Sequence, residues 1–168
     1  IALRKQLKFD RLIPFATALP ALRTKTAKII KQAAENPKDI HRTTVIAAVI
    51  QLLDSTFIRI GNQQYTQRNE SYGVTTLQDD NVEIASGNIK LSFIGKSGVA
   101  RELALENKKL AKIVKRCQGI PGQTLFQYFD KSGRRQAIES GDINEYLQSV
   151  MGNPFTAKDF RTWGGTVS

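Results

Sequence analysis

Three basic residues lie in contexts that could bring their charges to a single phosphodiester. Arg59 follows an apolar helical stretch in Phe-Ile-Arg-Ile-Gly, Lys96 is bracketed by glycines in Gly-Lys-Ser-Gly, and Arg161 lies in Ala-Lys-Asp-Phe-Arg-Thr-Trp. Guanidinium groups bind phosphoryl oxygens bidentately and stay charged, whereas an ammonium group whose pKa is lowered by neighbouring cations can give up a proton. Together these groups could bind a phosphodiester, stabilise its pentacoordinate transition state and protonate a leaving oxygen.

Each of these residues, taken singly, also has a purely structural interpretation. Arg59 could solvate the end of its helix, and Lys96 could be an ordinary turn lysine. Arg161 could pair with Asp159 or Glu145 on the protein surface. The hypothesis of a phosphoryl-transfer site therefore depends on the combination of the three.

The elements that must position these residues are mainly helical. Helix formers run over 24–36 and end at Asn36-Pro37, because proline disfavours helix in the residue before it. A wide apolar stripe predicts a second helix over 39–57, with Asp39 as its N-cap. Three more helices are expected, over 107–117, over 141–151 and from about Thr156 onward.

Polar residues at the starts of the last two helices indicate how they are capped. Ser140 or Asp142 is placed to cap the helix over 141–151. Thr156 and Asp159 stand in capping-box spacing, and Pro154 lies just outside the last helix. These caps place Arg161 in the first turns of a helix.

Two alternating segments and the turns around them predict a small sheet. Residues 82–85 and 89–94 flank Ser86-Gly87-Asn88, which reads as a hairpin, and a third strand is expected over about 101–105. Lys96 then lies on the turn between the second and third strands. The predicted fold is mainly α (α+β), with one three-stranded antiparallel sheet and no linker that divides the chain.

The charge balance favours a polyanionic partner. The 168 residues contain 25 Lys and Arg against 15 Asp and Glu, a formal charge of +10, which attracts nucleic acid by Coulomb forces and counterion release. Alternatively, the positive charge could serve only to keep the protein soluble. No window has the roughly 18 uninterrupted apolar residues of a membrane span, and there is no signal peptide, so we expect a soluble, intracellular protein without a membrane partner.

The rare residue types argue against a disulfide and against a metal site. Cys117 is the only cysteine and lies in a helical pattern, so we expect a reduced, packed thiol. One cysteine and one histidine cannot build a zinc site of the usual kind. No metal or other cofactor is expected.

Ordered motifs along nearly the whole chain resemble a known family. They are Phe57-Ile-Arg-Ile-Gly61, Tyr65, Asn69, Gly73, Thr75-Thr76-Leu77, Phe93-Ile-Gly-Lys-Ser-Gly98, Leu125-Phe-Gln-Tyr128 and Phe155-Thr-Ala-Lys-Asp-Phe-Arg-Thr-Trp163. In this order and spacing, over about residues 3–168, the chain is similar to the compact type IB DNA topoisomerases of poxviruses and bacteria. The resemblance implies the helical catalytic core of a DNA breaking and rejoining enzyme.

The resemblance also implies roles for individual residues. Arg59 and Arg161 would clamp the scissile phosphate, and Lys96 would protonate the departing 5′-oxygen. A tyrosine would attack to give a 3′-phosphotyrosine link, and religation after strand swivelling would relax supercoils without metal or ATP. The partner would be double-stranded DNA, bound by a monomer, with further DNA contacts from Tyr65, Asn69, Tyr72 and Lys158.

Several features depart from the family pattern. The family's histidine and nucleophilic tyrosine lie downstream of the position of Arg161, and its N-terminal β clamp domain lies upstream, so we expect residues 1–168 to be a truncated catalytic domain that binds DNA without cleaving it. His41 is wrongly placed to substitute for the histidine. None of the four tyrosines (Tyr65, Tyr72, Tyr128 and Tyr146) is a credible nucleophile. The loop over 78–81 is more acidic than its counterparts.

Two other readings remain open at the level of sequence. A tyrosine recombinase or integrase core shares the Arg-Lys-Arg chemistry, but typically carries a histidine two or three residues before the second arginine. Here Lys158-Asp159-Phe160 precedes Arg161, and Thr162-Trp163-Gly164 follows as in topoisomerases. A noncatalytic DNA-binding module is the other alternative, and fold analogy alone does not decide against it.

Overall fold

The computed structural model describes residues 2–61, 73–95, 98–152 and 155–167, with side-chain surroundings described from Asp10 to Thr166 within these ranges. The α-helices are α1 (Ala2–Glu35), α2 (Arg42–Thr56), α3 (Lys108–Gln118), α4 (Ser140–Met151) and α5 (Lys158–Val167). An antiparallel sheet contains β1 (Val82–Ala85), β2 (Asn88–Ile94) and β3 (Ala100–Glu106), and a second contains β4 (Gln127–Phe129) and β5 (Arg135–Ala137). The mainly α fold with a three-stranded antiparallel sheet is confirmed.

Helix α1 is much longer than the sequence indicated. It ends at Glu35, as the Asn36-Pro37 break predicts, but it begins at Ala2 rather than near Thr24 and runs through Pro14 and Pro20. Both prolines are exposed. Proline costs a helix about 3 kcal/mol, and α1 offsets this cost by packing one apolar side against the other four helices. The buried residues of that side are Phe15, Leu19, Leu22, Ile30 and Ala33.

Helix α2 is the buried centre of the molecule, and nine of its residues are buried. The N-cap is His41, so the prediction of Asp39 as the cap is wrong. Asp39 still fixes the start of the helix, since its carboxylate accepts hydrogen bonds from Thr44 Oγ1 at 2.7 Å and from the His41 N–H at 3.3 Å. The helix begins at Arg42, three residues later than the apolar stripe suggested.

The three-stranded sheet follows the predicted pattern closely. Ser86 and Gly87 form the turn between β1 and β2, with φ of 52° and 84°, as a two-residue hairpin requires. Along β2, Ile89, Leu91 and Phe93 are buried, and the residues between them are exposed. Strand β3 pairs with β2 so that Leu91 faces Leu103 and Phe93 faces Arg101.

The second sheet, β4 and β5, was not anticipated because its strands have three residues each. Its turn is organised by Asp130, whose Oδ1 accepts hydrogen bonds from Ser132 Oγ at 2.6 Å and from the N–H groups of Ser132 and Arg134, each at 2.9 Å. The Ser132 hydroxyl and the backbone donors lower the pKa of Asp130 to about 2. The turn is held by side-chain hydrogen bonds, and the strands are too short to show the alternation of apolar and polar residues by which a strand is recognised in sequence.

The remaining helix starts lie within a few residues of their predicted positions. Asn107 caps α3 by accepting a hydrogen bond from the Leu110 N–H at 3.0 Å. The N-cap of α4 is Glu139, not Ser140 or Asp142, although Asp142 Oδ2 accepts from the Glu139 N–H at 2.9 Å. Before α5, the Thr156 N–H donates to Asp159 Oδ2 at 2.8 Å, which is one half of the expected capping box.

Candidate active site

Arg59 lies in a short extended segment after α2. Phe57 ends the helix in the left-handed conformation, with φ of 56°, and its N–H donates to the Leu53 carbonyl. Ile58 is buried and Arg59 is exposed, so the chain leaves the core at this residue. The helix end therefore determines both the position of Arg59 and its direction toward solvent.

A second segment holds Arg59 from the other side. The Val74 N–H donates to the Arg59 carbonyl at 2.8 Å, and the Thr75 N–H donates to the Ile60 carbonyl at 2.8 Å. The two segments approach so closely that a Cβ on Gly73 would lie 2.3 Å from the Gly61 nitrogen and 2.5 Å from the Arg59 carbonyl oxygen. Glycine at position 73 is thus required by contact, and it gives Arg59 a rigid backbone.

Arg161 reaches this segment from α5. Its Nη1 donates to the Phe57 carbonyl at 2.9 Å, across 104 positions of sequence. One turn later, Gly164 lies against the Phe57 ring, where a Cβ would be 2.5 Å from Cγ. Both contacts lie on the same side of α5, so the helix is docked on the end of α2 and Arg161 is oriented beside the Arg59 segment.

Two neighbours of Arg161 anchor α5 to α1. Phe160 is fully buried and packs edge-on against Phe15, with ring centroids 5.2 Å apart. Asp159 is 7% exposed and forms an ion pair with Arg11 at 2.8 Å. Asp159 is therefore occupied by Arg11, and Arg161 bonds to a backbone carbonyl instead of the carboxylates considered from sequence.

The electrostatics of Arg161 show that other cations are near. Burial lowers the pKa of Arg161 from its ordinary 12.5, and repulsion from Arg59 and Arg101 lowers it further. The guanidinium remains charged at neutral pH, because arginine does not lose its proton in this range. Arg59 and Arg101 thus lie near enough for their charges to act on Arg161, and a cluster of positive charge favours an anion.

A comparison with known protein families covers almost the whole chain. A family model described as eukaryotic DNA topoisomerase I, catalytic core, matches residues 2–168. The chain belongs to the DNA topoisomerase I family. The resemblance to type IB topoisomerases inferred from the motifs is therefore confirmed.

Individual topoisomerases of this family are similar at the level of sequence. The DNA topoisomerase 1B of Acanthamoeba polyphaga mimivirus is 32% identical over 164 residues, which is 95% of this chain and 47% of the viral protein. The DNA topoisomerase I of monkeypox virus is 36% identical over 70% of this chain and 35% of its own length. The chain thus spans less than half the length of these relatives.

Among solved structures, the chain is similar to the XerH site-specific recombinase bound to difH substrate. The TM-score is 0.47 at 12% identity, over 83% of this chain and 41% of the recombinase. This similarity is too weak to bear on the choice between a topoisomerase and a recombinase. The family match is the finding that identifies the chain as a topoisomerase core.

The positions suggested by the topoisomerase resemblance are only partly within the described residues. Arg59 and Arg161 are brought together, and Lys158 is exposed on the first turn of α5. Lys96 lies outside the described residues. Of the residues that flank it in sequence, Gly95 donates its N–H to the Val99 carbonyl at 2.8 Å. The three expected DNA contacts Tyr65, Asn69 and Tyr72 also lie outside the described residues.

Sequence reasoning missed one charged residue of this topoisomerase core. Arg101 lies on β3 directly opposite Phe93 and contributes to the repulsion felt by Arg161. Its signal was the hairpin register, because residues directly opposite on two antiparallel strands share a face. Arg101 is exposed, and it leaves the sheet on the same face as the buried Phe93.

The tyrosines that the structure describes do not resemble nucleophiles. Tyr128 is half-buried against the core, and the Tyr146 hydroxyl is buried, which raises its pKa. No group of His, Cys, Asp and Glu among the described residues could hold a metal ion. No described helix is both long and apolar enough to cross a membrane.

The acidic loop over 78–81 is partly turned inward. Asp79–Asn81 form a short 3₁₀-helix, and Gln118 Nε2 donates to the carbonyls of Asp79 at 3.3 Å and Val82 at 2.8 Å. Burial raises the pKa of Asp79, and the neighbouring Asp80 adds to this effect. This acidic loop thus contains a partly desolvated carboxyl group.

Proposed function

We propose that this topoisomerase core binds double-stranded DNA and positions one phosphodiester for transient single-strand cleavage, which relaxes supercoils through a 3′-phosphotyrosine intermediate. The observation that carries the proposal is Arg161, bonded to the Phe57 carbonyl and close enough to Arg59 to be repelled by it. Two guanidinium groups held together against their repulsion are suited to an anion with several oxygens.

The two arginines would act on the nonbridging oxygens of the scissile phosphate. Charge on these oxygens grows in the pentacoordinate transition state, and fixed donors stabilise it more than the ground state. Lys96 would protonate the 5′-oxygen as the bond to phosphorus breaks, the role that the resemblance implies for it. The attacking tyrosine would come from the protein downstream of Ser168.

DNA binding outside the scissile phosphate would come from Lys158 and from the segment that carries Tyr65, Asn69 and Tyr72. Lys158 precedes Arg161 by one helical turn, so its ammonium group can reach a neighbouring phosphate. The formal charge of +10 supports a sequence-independent electrostatic contribution. We propose that the protein acts on DNA as a monomer.

The test compares residues 1–168 with the protein extended beyond Ser168. A duplex with a labelled strand is incubated with each protein, the reaction is stopped with detergent, and covalent adducts are separated by gel electrophoresis. We expect an adduct and plasmid relaxation from the extended protein, without ATP and in the presence of a chelator, and DNA binding alone from residues 1–168. No adduct from either protein would favour the noncatalytic module.

A recombinase would give a different result in the same assay. It would form the adduct at a particular sequence and exchange strands between two duplexes, whereas a topoisomerase rejoins the strand that it cut. Relaxation of plasmids without strand exchange would favour the topoisomerase. Strand exchange between two labelled duplexes would overturn it.

A further inference from the structure

Arg101 is placed to take part in the site formed by Arg59 and Arg161. It is the second residue of β3, directly opposite Phe93 of β2, so its side chain leaves the sheet on the face of the buried phenylalanine. The solvent face of the same strands carries the ion pair between Lys90 and Glu102, at 2.6 Å. Arg101 is exposed, and it leaves the sheet on the face of Phe93 rather than on the face of the Lys90–Glu102 pair.

The stem of Arg101 passes over the glycine next to Lys96. A Cβ on Gly95 would lie 3.0 Å from Arg101 Cδ and 3.3 Å from Cγ, so the methylene groups pack against the glycine backbone. The Gly95 N–H is in turn bonded to the Val99 carbonyl, which closes the base of the turn. The stem of Arg101 therefore lies against the backbone of Gly95.

Two carboxylates, one next to Arg101 in sequence and one two residues before Arg161, are paired with other cations. Glu102 is paired with Lys90 on the other face, and Asp159 is paired with Arg11. None of the ion pairs among the described residues includes Arg101. The charge of Arg101 repels that of Arg161 and helps to lower its pKa, so the two guanidinium groups are near each other.

We infer that Arg101 is a third guanidinium ligand of the phosphodiester held by Arg59 and Arg161, contacting one of its nonbridging oxygens. The inference rests on the proposed function and deepens it. Like charges held on the segment after α2, on α5 and on β3 repel one another, and an anion with several acceptor oxygens bound between them would offset that repulsion.

The test uses the extended protein with Arg101→Ala and Arg101→Lys, and Lys90→Ala as the matched control. Lys90→Ala removes one positive charge from the opposite face of the same sheet. Single-turnover cleavage is measured at saturating DNA, on a normal substrate and on one with sulfur at the 5′-bridging position. Thermal melting of each variant shows that it is folded.

Arg101→Ala should slow cleavage by about 10- to 100-fold, with partial recovery in Arg101→Lys and no recovery on the sulfur substrate. Lys90→Ala should cleave at the unsubstituted rate. A normal rate for Arg101→Ala would overturn the inference. Recovery on the sulfur substrate would also overturn it, because it would show that Arg101 acts through Lys96.

Noncovalent binding separates this inference from the proposed function. If the unsubstituted extended protein forms no adduct, the proposed cleavage is wrong, and the phosphate contact is judged by binding alone. DNA affinity is measured for Arg101→Ala, Arg161→Ala and the double variant. If both arginines contact one phosphate, the loss in the double variant should differ from the sum of the two single losses. Additive losses would place them on different phosphates and overturn the inference.

Discussion

Arg11 grips Asp159 with two hydrogen bonds, from Nε to Oδ1 at 3.1 Å and from Nη2 to Oδ2 at 2.8 Å, across 148 positions of sequence. This pair joins α1 to the first turn of α5, where Arg161 lies two residues further on. The Asp159 carboxylate also accepts a hydrogen bond from the Thr156 N–H. This one buried side chain therefore joins the start of α5 both to the residues before it and to α1. The position of Arg161 thus depends on a residue near the beginning of the chain.

Removing one partner of this ion pair should destabilise the fold. In Arg11→Ala, the largely buried Asp159 carboxylate loses its counterion, and we expect the free energy of unfolding to fall by about 1–3 kcal/mol. Arg23→Ala on the same helix is the control, since the Arg23–Asp54 pair is more exposed and should lose at most about 1 kcal/mol. Urea unfolding measures both. Equal losses of unfolding free energy in the two variants would contradict the prediction that the buried Arg11–Asp159 pair is stronger than the exposed Arg23–Asp54 pair.

The close packing of Phe57 on Gly164 should not tolerate a methyl group. Gly164→Ala would place Cβ against the ring and push away the carbonyl that Arg161 uses, at a cost of about 1–3 kcal/mol. Gly165→Ala is the control, because its Cβ would meet nothing within 4 Å. The melting temperature and the DNA affinity should both fall for Gly164→Ala and stay unchanged for Gly165→Ala. Similar values for the two variants would contradict the packing.

Cys117 should be unreactive while the protein is folded. Burial raises the pKa of this thiol to about 12, and only the thiolate reacts with iodoacetamide. At pH 8.5, mass spectrometry should show alkylation in urea and none in buffer. Rapid alkylation of the folded protein would show that the helix opens on the timescale of the reaction.

The same shift predicts how stability depends on pH. The folded pKa is above the unfolded value of about 8.5, so the contribution of Cys117 is present below pH 8.5 and is lost as pH rises toward 12. Between pH 7 and 10, Cys117→Ala should therefore lose less stability than the unsubstituted chain. The change in the urea midpoint measures this, and equal losses would contradict the assignment.

DNA binding by residues 1–168 should weaken steeply as salt rises. Phosphate contacts release counterions, so the logarithm of the affinity falls linearly with the logarithm of salt concentration. Replacing Arg161 with Ala should lower this slope by about one unit. Titration of a labelled duplex by fluorescence anisotropy at several salt concentrations measures the slope. Binding that is indifferent to salt would contradict the phosphate-contact hypothesis.

The roles of Lys96 and Arg161 can be separated in the extended protein. Lys96→Ala should slow cleavage strongly, and sulfur at the 5′-bridging position should restore much of the rate, because a thiolate leaves without a proton. Arg161→Ala should stay slow on the same substrate, since its role concerns the nonbridging oxygens. Equal recovery of the two variants, or none for Lys96→Ala, would contradict the assignment.

The sequence alone identified the parts of this protein that depend on neighbouring residues. The hairpin over 82–94 follows from alternation and a turn glycine, and the break at Asn36-Pro37 follows from proline sterics. The ordered motifs around Arg59 and Arg161 were sufficient to recognise a type IB topoisomerase core. Local backbone preference is a property of a few consecutive residues, and the order and spacing of motifs can be read along the chain without knowing how it folds.

The tertiary structure decided what depends on residues far apart in the chain. Only packing against four helices explains why α1 runs through Pro14 and Pro20, and only the folded chain shows that Asp159 pairs with Arg11 rather than with Arg161. Only strand pairing shows that Arg101 lies opposite Phe93, which is the observation from which its role was inferred. These outcomes are differences between competing long-range contacts, and their energies exist only when the distant partners are brought together.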